Sequence, residues 1–263
     1  MSAQDYSEIA LYIVTHKCAL FNYPAYVIPI QAGAALTNQR YCSVADHTGN
    51  NISIKNHEFC ELTALYWIWK NDSHNIIGLN HYRRSFSIEA SAIYDTLQSC
   101  DLIIPPPYYF RMSLKKEYEK YHINSDLLLF SQLVDDMYPE MSSTFQDVLD
   151  GNMLIPYNMF ITNRKLLDDY CSELFPILFR LEKELILNNR NMYQKRVFGF
   201  LSERYFTAYV RKMGLKAYIC PVHIPETEYP IRKMKYFCGR KFNQFYFEYM
   251  TKKNKGDESY KRI

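Results

Sequence analysis

The chain has 263 residues, 48% of them in the set AVILMFWYC and 22% charged, a balance that excludes disordered, collagen-like and low-complexity architectures. This length supports one large core, read here as a single domain over residues 1–225 followed by a tail over 226–263. Net charge is +3, yet residues 231–263 alone hold ten Lys/Arg against three Asp/Glu, so the body is slightly acidic. That body has no RRM-type or zinc-finger motif, which argues against a nucleic-acid partner.

Residues 10–14 (ALYIV) form the first predicted strand, a buried apolar run ending in Thr15-His16-Lys17. A polar loop follows at Asp46-His47-Thr48-Gly49-Asn50-Asn51-Ile52-Ser53, and then a helix over about 57–70 with Asn56 as its N-cap. The run Ile76-Ile77-Gly78-Leu79 reads as a second strand, ending in Asn80-His81-Tyr82-Arg83-Arg84. Leu102-Ile103-Ile104 is a third, stopped by three prolines; further strands are expected at 158–161 and 217–220, and helices over about 112–137, 164–187 and 192–212. Short apolar strands alternating with helices predict an α/β fold: a Rossmann-like, mostly parallel sheet flanked by helices, with a more helical C-terminal half. In such sheets ligands bind beyond the carboxyl ends of the strands, which directs attention to residues 15–17 and 81–84.

The eight glycines are too widely spaced for a GxGxxG fingerprint, a P-loop or a GxSxG elbow, each of which needs glycines close together. Seven cysteines without a CxxC pair give no thiolate zinc site or redox pair and fit a reducing cytoplasm. No apolar stretch reaches the roughly 20 residues of a membrane span, and Asp5 and Glu8 stand where a signal peptide is basic. The tail interleaves its cations with eight aromatic residues, a composition suited to resting on an anionic membrane surface. The expected location is the cytoplasm, peripheral to the inner face of the cytoplasmic membrane.

The segments Pro29-Ile30-Gln31-Ala32-Gly33, Asp46 to Ser53, Cys60 to Asn71 and Gly78-Leu79-Asn80-His81-Tyr82-Arg83-Arg84 occur in a recognisable order. They are followed by Tyr157-Asn158-Met159-Phe160-Ile161, Tyr170 to Leu178 and Arg196 to Arg204. Across about residues 10–222 the chain resembles the bacterial capsule, exopolysaccharide and O-antigen galactofuranosyltransferases, first catalogued as a domain of unknown function. The resemblance implies a GT-A-like fold that transfers galactofuranose from UDP-galactofuranose to a lipid-linked oligosaccharide acceptor, with inversion at the anomeric carbon.

Such an enzyme must stabilise a departing nucleoside diphosphate, most often with a divalent cation on a D-x-D motif. The chain contains no D-x-D, and Glu117-Tyr118-Glu119 reads as an exposed helical face, so no metal or other cofactor is expected. Cationic side chains then take over the diphosphate, and planar guanidinium suits phosphate oxygens. If the strand stays extended through residues 81–84, His81 and Arg83 share one side and meet the donor, while Arg84 pairs a carboxylate elsewhere. Thr15, His16 and Lys17 are the other expected donor contacts, with Asp46 and Asn51 from the polar loop reaching sugar hydroxyls. Glu203, Asp46 and Glu61 are the candidate catalytic bases for deprotonating the acceptor hydroxyl. Arg204 falls on the apolar stripe of its helix and needs a partner or a ligand phosphate. The rival reading is a membrane-peripheral interaction protein, non-catalytic, on a degenerate nucleotide-sugar-binding fold; it predicts no UDP binding.

Overall fold

In the computed structural model, residues 6–17 and 23–224 are described; the basic, aromatic tail and its expected membrane contact lie outside them. The chain enters through β1 (Ile9–Thr15), wholly buried, and continues through β2 (Val27–Gln31) and β3 (Val44–Ala45). Two short helices follow, α1 (Asn56–Phe59) and α2 (Leu62–Asn71), then β4 (Ile76–His81), β5 (Ser85–Phe86), α3 (Ala90–Leu97), β6 (Leu102–Ile104) and β7 (Tyr108–Tyr109). The helical half comprises α4 (Leu114–Tyr121), α5 (Asn124–Met137) and α6 (Pro139–Asp150), then β8 (Met153–Leu154), β9 (Ile161–Asn163), α7 (Arg164–Glu184), α8 (Met192–Lys195) and α9 (Val197–Lys212). β10 (Ala217–Ile219) and β11 (Val222–His223) close the described chain.

The central sheet has seven strands in the order β10-β6-β9-β4-β1-β2-β3. β1 pairs in parallel with β2 and β4, β2 with β3, and β6 with β10; β9 alone runs antiparallel, between β4 and β6. Helices cover this mostly parallel sheet, as expected from the apolar strands that carry no polar alternation. The reversed strand matters for function. Because β9 opposes β4 with Gly78 opposite Ile161, the residues that lead into β9 arrive at the carboxyl end of β1 and β4.

Four expected elements differ, one of them the helix over 192–212, which is divided at Arg196 into α8 and α9. The helix over 57–70 is broken at Cys60, whose φ of 52° lies in the left-handed region. Asn56 is not its N-cap but a splint across the break, donating to the Cys60 carbonyl at 2.7 Å and to Thr63 Oγ1 at 2.9 Å. The helix over 112–137 is interrupted at His122-Ile123 between α4 and α5. The strand over 158–161 begins only at Ile161, since Tyr157 and Asn158 both have positive φ, 77° and 51°. Among the described residues no helix is long and apolar enough to cross a membrane.

The core joins α9 to the sheet and to the other helices. Phe59 stacks on Phe198 at 4.2 Å, and both are fully buried, so α1 is fixed against the start of α9. Truncating either ring to alanine costs about 3–5 kcal/mol by loss of transfer energy and by the cavity left behind. Arg204, 2% exposed, finds its partner in Glu117, so that residue is half-buried and paired, not part of an exposed face. Breaking a buried pair of this kind costs about 3–5 kcal/mol because one charge is left uncompensated.

Candidate functional site

The backbone at the end of β4 does not stay extended. His81 N donates to the Arg84 carbonyl and Arg84 N to the His81 carbonyl, each at 2.9 Å, which closes residues 81–84 into a tight turn. This overturns the expected alternation: His81 and Arg84 lie together at the base, and Tyr82 and Arg83 form the tip. Tyr82 N donates to Val14 O at 3.0 Å, tying the tip to the end of β1. There the Tyr82 ring meets His16 edge-on at 5.0 Å, and the Arg83 guanidinium lies 4.9 Å from the Tyr82 ring centre. Arg83, His16 and Lys17 are all exposed. Burial, then the charges of Lys17 and Arg83, hold His16 below the ordinary imidazole value, which marks this corner as electropositive.

The inner face of the turn is organised by the Tyr157-Asn158 pair. The Tyr157 carbonyl accepts from His81 Nε2 at 2.6 Å; a carbonyl can only accept, so that nitrogen carries the hydrogen. His81 is enclosed and its pKa is lowered, first by desolvation; Glu61 opposes the shift, while Arg84 and Arg196 add to it. The Arg84 guanidinium sits 4.1 Å from the centre of the Tyr157 ring, and the Tyr157 and Tyr108 hydroxyls hydrogen-bond each other. Asn158, 2% exposed, donates through Nδ2 to Glu61 Oε1 at 2.8 Å and to the Gly199 carbonyl at 3.2 Å, and its Oδ1 accepts from Ser202 Oγ at 3.0 Å. Two successive non-glycine residues at positive φ carry a backbone cost of about 1–3 kcal/mol each, sustained here by these contacts.

Two carboxylates converge on this pair. Glu203, on α9, accepts the Tyr157 amide through Oε1 at 2.5 Å. Although the residue keeps a little exposure, its carboxyl is pushed up to about 8, first by desolvation, with Glu61 and Glu117 adding and Arg204 and Arg84 opposing. Glu61 stands at the break between α1 and α2, close enough to Gly199 that a Cβ there would lie 3.7 Å from Glu61 Oε1. Arg196 completes the group: its Nε donates to Cys60 Sγ at 3.2 Å, and its charge acts on Glu61, Glu203 and His81. The Cys60 thiol is pushed up to about 11 by burial and by Glu61. A proton-accepting carboxyl with a pKa near neutrality, beside a second carboxylate and two guanidinium groups, is equipped for general base chemistry.

Other sequence candidates are engaged in holding loops. Asp46 is fully buried and accepts from Gly33 N at 2.9 Å, Ala34 N at 3.0 Å and Ser53 Oγ at 2.5 Å, so its oxygens face the polypeptide and not a cleft. Asn51 spends its amide on the His47 and Gly49 carbonyls and its Oδ1 on Ser53 N. The Thr15 hydroxyl closes a turn with Lys17, donating to its carbonyl at 2.9 Å and accepting its N–H at 3.1 Å. Trp67 donates to Thr48 and packs the same loop onto α2. Sequence reasoning underrated Tyr157, Asn158 and Arg196. The available signal was an asparagine, tolerant of positive φ, directly before an apolar strand.

The comparisons fit this architecture. An apo structure of the WbbM bifunctional glycosyltransferase superposes with a TM-score of 0.79 at 27% identity, covering 83% of this chain and 45% of that one. This chain therefore spans less than half the length of that protein, and the sheet with its flanking helices is a glycosyltransferase fold of the GT-A-like kind. Comparison with curated proteins returns no match. Residues 10–214, most of the chain and every side chain of the cluster just described, match the family described as Domain of unknown function (DUF4422), to which the protein belongs.

Proposed function

We propose that this protein is an inverting glycosyltransferase of bacterial surface-polysaccharide synthesis, taking galactofuranose from UDP-galactofuranose to a lipid-linked glycan acceptor. The observation that carries the reading is the Glu203–Glu61 pair, held by Tyr157-Asn158 next to a basic turn where parallel strands end. Ligands of open α/β sheets occupy that edge. The likeness to a bifunctional glycosyltransferase supports the reaction class, and the sequence resemblance supports the donor.

In this reaction Glu203, ionised, removes the proton from an acceptor hydroxyl. The freed oxygen pair bonds to the anomeric carbon from the face opposite the leaving group, and the carbon–oxygen bond to the diphosphate breaks with its electrons on the UDP oxygen. Arg83, Lys17 and Arg84 meet the charge that develops there; preorganised donors aimed at developing charge supply the largest single share of such catalysis. Glu61 keeps the base strong through its own charge and through Asn158. His81 holds the Tyr157 carbonyl and positions Glu203 at one remove. Because the sequence carries no D-x-D motif, the diphosphate is assigned to cationic side chains.

A donor screen tests the proposal: UDP-galactofuranose against UDP-galactopyranose, with and without EDTA, by release of UDP in the presence of a polysaccharide-derived acceptor. Transfer from the furanose donor that survives EDTA is the expected result. Calorimetry that finds no UDP binding to the intact chain overturns it in favour of a non-catalytic interaction protein.

A further inference from the structure

Outside the carboxylate pair, an exposed aromatic group carries an inference about the acceptor. Tyr193 on α8 is 49% exposed. Its ring stacks on His122 at 5.5 Å with 12° between planes and lies 5.1 Å from the Phe200 ring, which itself contacts His122 at 4.1 Å. Arg196 lies 5.6 Å above Phe200, and through Cys60 it leads to Glu61. The Tyr193 phenol is raised by burial, then by Glu117, with Arg196 and Arg204 opposing and Glu203 adding, which puts it within electrostatic reach of the proposed base.

The segment that presents Tyr193 is anchored at both ends. Arg190 forms a two-pronged ion pair with the buried Asp126 at 2.5 and 2.8 Å, Asn191 Oδ1 caps α8 by accepting from Gln194 N, and Gln194 Nε2 donates to the Tyr121 carbonyl at 2.9 Å. A ring fixed before ligand arrives loses little entropy on binding. His122, pushed down to about 4 by burial and by Arg204, is neutral at working pH, so the rings form an uncharged surface with one cation beside it.

We infer that Tyr193, backed by Phe200 and with the Arg196 guanidinium beside it over the Phe200 ring, forms a stacking shelf for a pyranose ring of the acceptor, seating a hydroxyl toward the Glu61–Glu203 pair. A pyranose suits this surface because its C–H-rich face carries partial positive charge and rests on the negative face of an aromatic ring. Its hydroxyls then fall to the guanidinium, of whose N–H donors one goes to Cys60 Sγ. The inference rests on the glycosyl-transfer reading and adds to it the seat of the acceptor.

The test uses the full chain with UDP present and saturation-transfer NMR, with methyl β-D-galactopyranoside and octyl β-D-galactopyranoside as probes. Saturation of the pyranose ring protons of the methyl glycoside is expected, retained in Tyr193→Phe and weakened about tenfold in affinity in Tyr193→Ala, with UDP binding by calorimetry unchanged in both. Saturation confined to the octyl chain overturns the shelf in favour of a lipid contact, and wild-type-like binding by Tyr193→Ala overturns it outright. Absence of any ring saturation in the wild-type chain does the same. Each of these leaves UDP binding intact, whereas failure of UDP binding in the wild type would strike the glycosyl-transfer reading itself.

Discussion

Asp46 and Glu203 are both acidic, both enclosed and both plausible bases in the sequence, yet the structure treats them differently. Asp46 is surrounded by donors, two backbone N–H groups and a hydroxyl, and its charge is spent on pinning the Gly33-Ala34 turn to the loop it begins. Glu203 receives one backbone N–H and is stripped of water by burial, with Glu61 adding to the effect against the opposing charges of Arg204 and Arg84, so its charged form is disfavoured and its pKa rises to about 8. A carboxylate fully served by fixed donors is a structural element. One that is desolvated and under-served is available to take a proton.

The sharpest way to break this contrast is to remove each charge in turn. Glu203→Gln is expected to lower kcat by about 10³-fold, within the range of a lost general base, with UDP binding retained by calorimetry. Asp46→Asn is expected to keep turnover per folded molecule while losing about 2 kcal/mol of stability in urea melts, since a buried backbone donor is left facing an amide hydrogen. Equal kinetic losses in both variants would erase the distinction.

Changing pH sharpens it further. As a base Glu203 must be ionised, so kcat/KM for the wild type is expected to rise with pH, reach half its plateau near 8 and level off above that. Glu61→Gln removes a charge that raises Glu203, so it is expected to move this limb to lower pH while retaining measurable turnover. Stability carries the opposite sign. A carboxyl raised from 4.5 to about 8 holds its proton in the folded state where the unfolded state has lost it. Its contribution is present below the unfolded value and is lost as pH rises through about 8. Wild type is thus expected to lose stability relative to Glu203→Gln between those limits, read by thermal melts across the range.

Smaller effects separate the turn from the polar loop. Arg83→Ala, which deletes an exposed cation at the tip, is expected to lower kcat about 10²-fold, the scale of one lost donor to charge that develops as the diphosphate leaves, read by steady-state kinetics. Gly49→Ala is expected to cost about 1–2 kcal/mol of stability with no change in turnover. Its φ is 54°, and an added Cβ would lie 2.1 Å from Asn71 Oδ1, so the loop would shift against α2. A rise in donor KM for Gly49→Ala would return the loop to the donor site.

Much of the architecture was legible before any coordinates. The apolar runs at 10–14, 76–79 and 102–104 became β1, β4 and β6, and the long helical pattern at 164–187 became α7. Their lengths and their lack of polar alternation require burial on both faces, which only a covered, mostly parallel sheet provides. Short β2 escaped because Val27-Ile28-Pro29-Ile30-Gln31 contains a proline, and β3 because Val44-Ala45 is too short to leave a pattern.

The site was legible as a set of residue types and not as an arrangement. Period-two reasoning put His81 with Arg83, whereas two backbone hydrogen bonds that close a turn put His81 with Arg84. Helical periodicity joined Glu203 to Gly199, but it contained nothing about Glu61, which arrives from 142 residues earlier through the Phe59–Phe198 stack. Local pattern is governed by neighbours along the chain, and so composition and spacing determined the strands, the helices and the candidate acids. Whether an acid is neutralised by donors or left with a raised pKa depends on groups distant in sequence, and only the packing of β9, α9 and the α1–α2 break against one strand edge decided that.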